Sequence, residues 1–204
     1  MSSGTFGQAT HCLTIIGQQE PTDDHLRVLH DGYLSDLVLG IKEGKVPPRD
    51  DFRKLLGLGP VELITEIDFG QSLETMIAAG KYDWKNDAIT ADKFPVEGVG
   101  KKKFRNKLFH FSHNISSEDA ITVMKKENFL TGGYVHGLAF GATFPEEQRK
   151  YPIVCLDLSA QVHGCRYVVC LRRCGAGRGL GLNCWDGVWH DSWRFLGVQE
   201  VFGA

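Results

Sequence analysis

The chain has 204 residues, of which 42% are hydrophobic and 24% charged, and its formal net charge is −2. These values are typical of a globular protein with room for one well-packed core and a small appendage. The near-neutral charge gives no electrostatic reason to expect nucleic acid or an anionic membrane as a partner. No apolar run is long enough to span a membrane, and the first residues lack the basic and apolar regions of a signal peptide. We therefore expect a cytoplasmic protein without a membrane span.

Residues 1–85 predict a small helical unit. In the stretch PTDDHLRVLHDGYLSDLVLGIKEG, Thr22 is a suitable N-cap and Gly44 a suitable end for a helix. The apolar face of that helix is marked by residues at helical spacing, namely Leu26, Leu29, Tyr33, Leu37 and Ile41. RDDFRKLLGLG and SLETMIAAG predict two shorter helices. Nothing in this unit indicates a functional site.

Residues 86–204 predict a second domain that contains both strands and helices. KKKFRNKLFHF predicts a strand, and its lysine run is typical of a solvated sheet edge rather than of a binding patch. NISSEDAITVMKKENF predicts a helix that begins with a capping box from Ser116 to Asp119. YVHGLAFGATF predicts a further helix, and PEEQRK a charged turn or helix end.

The composition changes after Lys150. The segments YPIVCLDL, RYVVCL, RGLGLN and WRFLGVQ predict four short strands. All thirteen lysines lie at or before Lys150, and the stretch from Arg166 to Val198 also has no Glu, Gln or Met. A solvated surface ordinarily uses Lys and Glu freely, so this depletion requires an explanation of its own.

Five of the six cysteines lie within 30 residues. Structural zinc sites usually contain ligand pairs at a short spacing such as CxxC, and the sequence has no such pair. A disulfide framework requires an oxidising compartment, which nothing in the sequence indicates. We therefore expect thiols that form neither a metal site nor disulfides.

Three short motifs suggest chemistry but lack the context that it needs. GAGRGLG resembles a phosphate-binding loop, yet no predicted helix follows it. Cys184 and His190 could form a nucleophilic pair, although such pairs are set by spatial rather than sequence proximity. Asp186 and Asp191 supply too few carboxylates for a calcium loop. We expect no metal and no cofactor.

Trp185, Trp189 and Trp193 stand at every fourth position near the end of the chain. Tryptophan is mostly buried in proteins, so we expect these rings to anchor a loop region to the core. The residues between them would then be exposed. Exposed rings that stack on sugars are the alternative.

The segments NISSEDAITVMKKENF, LAFGATFPEEQRKYPIVCL and WDGVWHDSWRFLGV resemble the variable proteins of diversity-generating retroelements, with a likeness over about residues 75–204. The resemblance implies a C-type lectin fold of the kind related to formylglycine-generating enzymes. It also implies that mutagenic reverse transcription randomises template adenines and rewrites the C-terminal coding region. The variable residues would then lie on a ligand-binding face.

This origin would account for the composition. Asparagine codons mutated at both adenines cannot encode Lys, Glu, Gln, Met or Trp, and the tryptophan codon contains no adenine. The hypervariable region would cover about residues 157–196. The implied variable positions are Leu158, His163, Cys165, Tyr167, Cys170, Arg172, Cys174, Gly175, Gly179, Gly181, Asn183, Cys184, Gly187, Val188, His190 and Ser192. The implied scaffold positions are Trp185, Trp189, Trp193, Arg194 and Phe195.

The sequence thus predicts an α+β protein, in which a C-type lectin-like domain follows the small helical unit. We expect it to bind a ligand, namely a protein surface, rather than to catalyse a reaction. Large amphipathic residues dominate such contacts, which favours Arg172, Tyr167 and His163. Two alternatives stay open: a thiol-dependent enzyme using Cys170, Cys174 or Cys184, and a carbohydrate-binding lectin. The sequence indicates neither the ligand nor the oligomeric state.

Overall fold

The structure is a computed structural model that describes residues 14–16, 18–47, 49–57, 62–156, 160–162 and 164–201. The chain divides into two compact units, Met1–Val61 and Glu62–Ala204. The predicted boundary near residue 85 is therefore too late. Ile67, Leu73 and Met76 belong to the buried core of the second unit, so the segment that carries them folds with that unit.

The first unit contains two of the three predicted helices, since the third, in SLETMIAAG, belongs to the second unit, and the long helix of the first unit is interrupted. Its elements are Asp23–Val28 (α1), a π-helical turn at Leu29–Tyr33, Leu34–Lys42 (α2) and Arg49–Leu55 (α3). Thr22 caps α1, because its hydroxyl accepts from the backbone N–H of His25 at 3.4 Å. Gly32 has φ +108°, which no continuous α-helix allows. No side chain of α1, the π-helical turn or α2 is buried, so the predicted apolar face is not covered.

The described residues of the second unit form four helices and nine strands. Its helices are Leu73–Ala79 (α4), Ser117–Lys126 (α5), Tyr134–Thr143 (α6) and Glu147–Lys150 (α7). Its strands are Leu63–Asp68 (β1), Trp84–Lys85 (β2), Lys101–His110 (β3), Leu130–Thr131 (β4), Ile153–Val154 (β5), Ala160–Val162 (β6), Cys165–Cys174 (β7), Gly177–Cys184 (β8) and Arg194–Val201 (β9). The predicted capping residue Ser116 is confirmed, since its hydroxyl accepts from the backbone N–H of Asp119. The short strands β1, β2, β4 and β6 were not predicted.

The nine described strands form one sheet in the order β1-β3-β9-β5-β7-β8-β2, with β4 paired to β9 and β6 paired to β7. Two pairs, β5–β9 and β2–β8, are parallel, and the others are antiparallel. Helices pack against this sheet on both faces. The predicted α+β class is confirmed.

The strand that carries the lysine run lies in the interior of the sheet, not at its edge. Strand β3 pairs with β1 on one side and with β9 on the other. Its register places Lys101 opposite Asp68 and Lys103 opposite Glu66. Cross-strand pairs of opposite charge stabilise a sheet, so this register is favourable, and Lys102 forms an ion pair with Glu200 of β9 at 3.2 Å. The predicted edge assignment is wrong because the partner strand β1 was not recognised.

Strand β7 separates two hydrophobic clusters. Alternate residues of a strand point to opposite faces, so Val169 and Leu171 contribute to one cluster and Val168 to the other. The first cluster contains residues of β1, α4 and α6, such as Leu138. The second contains Met124 of α5 and residues of the stretch 185–195, which is called the tryptophan segment below. Both faces at the middle of the sheet are therefore covered.

Helix α6 approaches the sheet closely at a glycine. A Cβ atom on Gly137 would lie 2.3 Å from the Sγ atom of Cys155. We expect Gly137→Ala to destabilise the second unit by about 1–3 kcal/mol, as overpacking usually does. The gain in helix propensity is only about 1 kcal/mol and does not offset the overlap. Urea denaturation followed by circular dichroism measures the change.

The double variant Gly137→Ala/Cys155→Ala serves as the matched control for this substitution. The Cβ atom of Cys155 would be 3.7 Å from the added methyl group, which is ordinary contact. The double variant should therefore recover part of the loss caused by Gly137→Ala, after correction for Cys155→Ala alone. An additive result would show that the sulfur does not limit this approach.

Candidate ligand-binding surface

The β7–β8 hairpin carries most of the predicted variable positions. Its register is continuous from Tyr167 opposite Cys184 to Cys174 opposite Gly177. The connecting turn contains Gly175, whose φ of +59° is easily adopted by glycine. GAGRGLG therefore forms a hairpin turn and the start of a strand. No helix follows it, so it is not a phosphate-binding loop of the strand–helix type.

The register divides the predicted variable residues of this hairpin between two faces of the sheet. One face carries Cys165, Tyr167 and Cys184. The opposite face carries Cys170, Arg172, Cys174, Gly179, Gly181 and Asn183. A single flat ligand surface cannot use both groups, because the sheet separates them.

Most of the predicted variable side chains are accessible. Eight are exposed, namely Cys165, Arg172, Cys174, Gly175, Gly187, Val188, His190 and Ser192. Three are half-buried, namely Tyr167, Asn183 and Cys184. Leu158 and His163 lie outside the described residues.

Cys170, Gly179 and Gly181 are buried, so their prediction as ligand contacts is wrong. A Cβ atom on Gly181 would lie 3.1 Å from Nε of Arg172, and one on Gly179 would lie 3.3 Å from the Trp84 ring. Because the two glycines have no side chains, Arg172 packs directly over Gly181 and Trp84 directly over Gly179. Side chains at both positions would displace Arg172 or Trp84.

Trp84 is a component of this surface that sequence reasoning missed. Strand β2 pairs in parallel with β8 and places Trp84 opposite Gly179. Its side chain is 39% exposed, and the guanidinium carbon of Arg172 lies 5.6 Å from the ring centroid. Such a contact is a cation–π interaction. The isolated tryptophan in YDWKN is the one sequence signal for this position.

The tryptophan segment agrees with the prediction that its rings anchor it to the core, as a fixed frame, and that the residues between them form an exposed surface. Trp189 is 2% exposed, and its Nε1 donates to Oγ of Ser117 at 2.9 Å. Trp185 is half-buried and donates to Glu118 at 2.9 Å. Between them Val188 is 62% exposed. Trp193 is half-buried against Trp189, with ring centroids 4.9 Å apart.

The remaining predicted scaffold residues, Arg194 and Phe195, also have fixed partners. Phe195 is buried, and the guanidinium carbon of Arg194 lies 4.0 Å from the ring centroid of Tyr151. Arg194 donates to the backbone carbonyl of Trp193 at 3.0 Å. The anchoring interpretation is therefore supported for the whole segment.

An exposed ion-pair network links this segment to β7. Arg166 donates to the carboxylate of Asp186 and lies 3.9 Å from Glu118. The hydrogen bond from Arg166 lowers the pKa of Asp186, and the hydrogen bond from Trp185 lowers the pKa of Glu118. The carboxylate of Asp186 is thus held in an ion pair with the guanidinium of Arg166.

The cysteines differ sharply in accessibility. No disulfide joins the five described cysteines; Cys155 and Cys170 are buried, and burial raises the pKa of the Cys170 thiol to about 11. Burial and a raised pKa both oppose formation of the reactive thiolate. His190 contacts Oδ1 of Asn114 at 3.3 Å, and no contact between His190 and Cys184 is found in the described part of the chain. Cys12 lies outside the described residues.

We expect a thiol reagent at neutral pH to modify Cys165 and Cys174 at least about tenfold faster than Cys155 and Cys170, because exposure governs access. Peptide mapping by mass spectrometry after timed exposure to iodoacetamide measures each site. Unfolding in urea should equalise the rates. Rapid modification of Cys170 in the folded protein would contradict its burial.

None of the described helices is both long enough and apolar enough to cross a membrane. The chain matches no model of a known protein family, no characterised protein and no solved structure in the comparisons made.

Proposed function

We propose that the protein binds a ligand through a C-terminal surface whose residues are diversified by mutagenic retrohoming. In this proposal the second unit is a C-type lectin-like domain, and its frame holds the variable side chains. The ligand is a protein surface. Catalysis is no part of this function.

The observation that carries the proposal is the composition of the stretch from Arg166 to Val198. Lys, Glu, Gln and Met are absent there, although much of the stretch is exposed. Exposed strands and loops ordinarily contain these residues. Randomised asparagine codons exclude these four types, and they also admit the cysteines that crowd this stretch.

The arrangement of buried and exposed residues supports the same proposal. The fixed candidate Trp189 is buried, while the implied variable residues Val188 and His190 on either side of it are exposed. Substitutions at exposed positions ordinarily change stability by less than about 0.5 kcal/mol. A frame of this kind tolerates many side chains on its surface and keeps them preordered, which lowers the entropy lost on binding.

The thiol-enzyme alternative receives no comparable support. Of its three candidate nucleophiles, Cys170 is buried with a raised pKa. The carbohydrate alternative requires exposed rings, and Trp189 is buried. Trp84 has the required exposure, but Arg172 already lies against its ring.

Sequencing of the genomic DNA around the gene tests the proposal. We expect a near-copy of the segment encoding about residues 157–196, close to a reverse transcriptase gene. The copy should differ from the gene almost only where the copy has adenine. The codons of Trp185, Trp189 and Trp193 should be identical in both. A neighbourhood without such a copy would contradict the proposal.

A further inference from the structure

An open groove of about 400 Å³ lies beside the face that carries Arg172. Its lining combines cations with aromatic rings, and the residues that matter are Arg149, Lys150, Tyr151, Arg172, Arg173 and Trp193. The sheet brings these together from three distant parts of the sequence. Strand β5, which follows Tyr151 closely, pairs with both β7 and β9.

The groove has an excess of positive charge. Arg149 is paired with Glu146 at 3.2 Å and Lys150 with Glu147 at 2.7 Å. Arg172 and Arg173 have no carboxylate within 4.0 Å among the described residues. The lining of the groove therefore includes two residues whose guanidinium groups no described carboxylate neutralises. They are neighbours on β7 and point to opposite faces of the sheet, and the Arg172 guanidinium lies against Trp84.

The Arg173 guanidinium retains donors for a ligand in the groove. Arg173 uses its Nε to donate to the carbonyl of Gly175 at 2.8 Å. The guanidinium of Arg172 makes no hydrogen bond with the described part of the protein and instead lies against the Trp84 ring. A planar guanidinium with open N–H groups matches the geometry of a carboxylate.

The groove is also held in shape before any ligand arrives. Arg149 donates to the carbonyl of Ala176 in the hairpin turn at 2.8 Å, which ties α7 to that turn. Gln148 donates to the carbonyl of Arg172 at 3.1 Å. The ring of Tyr151 is covered by Arg194. Preordered side chains lose less entropy when they bind.

From this geometry we infer that the groove binds the carboxylates of an acidic peptide segment in the protein ligand. The inference deepens the proposed function and rests on it for the presence of a protein ligand on the adjoining face. Arg149, Lys150 and Tyr151 precede the hypervariable region, and Arg173 and Trp193 are not among its implied variable positions. Arg172 is an implied variable position, so the groove would combine constant residues with one variable residue.

Charge and size favour an acidic peptide over nucleic acid. Proteins that bind nucleic acid present a continuous basic surface to the phosphate backbone. Here the net charge is −2, and the lysine run of β3 lies opposite carboxylates. A groove of about 400 Å³ accommodates a few side chains rather than a strand of phosphates.

Binding of a fluorescein-labelled hexaglutamate peptide to the full chain, followed by fluorescence anisotropy, tests the inference. A hexaglutamine peptide is the uncharged control. We expect saturable binding of hexaglutamate only, with an affinity that falls as salt is added.

Arg173→Gln and Lys150→Gln should each weaken binding by about tenfold, since each removes a charge-assisted contact. Lys125→Gln, the same change on the exposed surface of α5, should leave the affinity within about twofold because it lies outside the groove.

Three outcomes would overturn the inference: equal binding of both peptides, an unchanged affinity in Arg173→Gln, or tighter binding of oligothymidylate of the same charge. The last would assign the groove to nucleic acid. Circular dichroism confirms that each variant is folded.

The genomic test of the proposed function and the peptide test of the groove can fail separately. A missing template copy leaves peptide binding measurable, and a template copy without peptide binding overturns only the groove.

Discussion

Trp189→Ala is expected to destabilise the second unit by about 4 kcal/mol, in the range usual for truncation of a large buried aromatic. The ring is 2% exposed and packs edge-on against Trp193 and Phe195. Truncation would leave a cavity between these rings. It would also remove the hydrogen bond from Nε1 to Ser117, whose loss adds about 1 kcal/mol.

Urea unfolding followed by circular dichroism measures this change. Val188→Ala is the matched control, because the neighbouring side chain is 62% exposed. It should shift the free energy of unfolding by less than about 0.5 kcal/mol. Ser117→Ala leaves the ring packing in place but removes this hydrogen bond together with the one that the Ser117 hydroxyl donates to the carbonyl of Trp185. If Val188→Ala proved as costly as Trp189→Ala, the assignment of Trp189 to the frame and Val188 to the surface would be wrong.

Arg178→Met is expected to cost roughly 3–5 kcal/mol, because a buried acceptor that loses its donor costs about 1–3 kcal/mol. Arg178 is 6% exposed, and its guanidinium donates to the carbonyls of Gly80 and Gly141 and to Oε1 of Gln148. It also lies 5.1 Å from the ring centroid of Tyr82. Methionine fills similar space but leaves three buried acceptors without a donor, which is the main cost.

Arg173→Met is the matched control for this substitution, since Arg173 stands opposite Arg178 in the hairpin register and is exposed. It should change the free energy of unfolding by less than about 0.5 kcal/mol. Arg178→Lys keeps the charge but not the planar fork, so its cost should be intermediate. Thermal unfolding and urea unfolding should give the same order. Equal costs for Arg178→Met and Arg173→Met would show that the buried contacts do not stabilise the fold.

Local patterns in the sequence determined most of the helices and the long strands. Ser116 and Asp119 mark the start of α5 because a side-chain hydroxyl caps the nearest backbone N–H groups. RYVVCL and WRFLGVQ predict strands because β-branched and aromatic residues suit a pleated surface. The depletion of Lys, Glu, Gln and Met from Arg166 to Val198 is also a property of the sequence alone, whereas the exposure of much of that stretch is known from the structure.

Only the tertiary structure decided which residues face one another. Strand β1 finds its partner about 40 residues later, so nothing local identified it or showed that the lysines of β3 lie opposite carboxylates. The continuous register of β7 and β8 placed Tyr167 and Arg172 on opposite faces, since each residue along a strand reverses direction. The groove required residues 149–151, 172–173 and 193 to meet through strand pairing. Periodicity and composition are local properties of a chain, whereas register and burial depend on segments far apart in sequence.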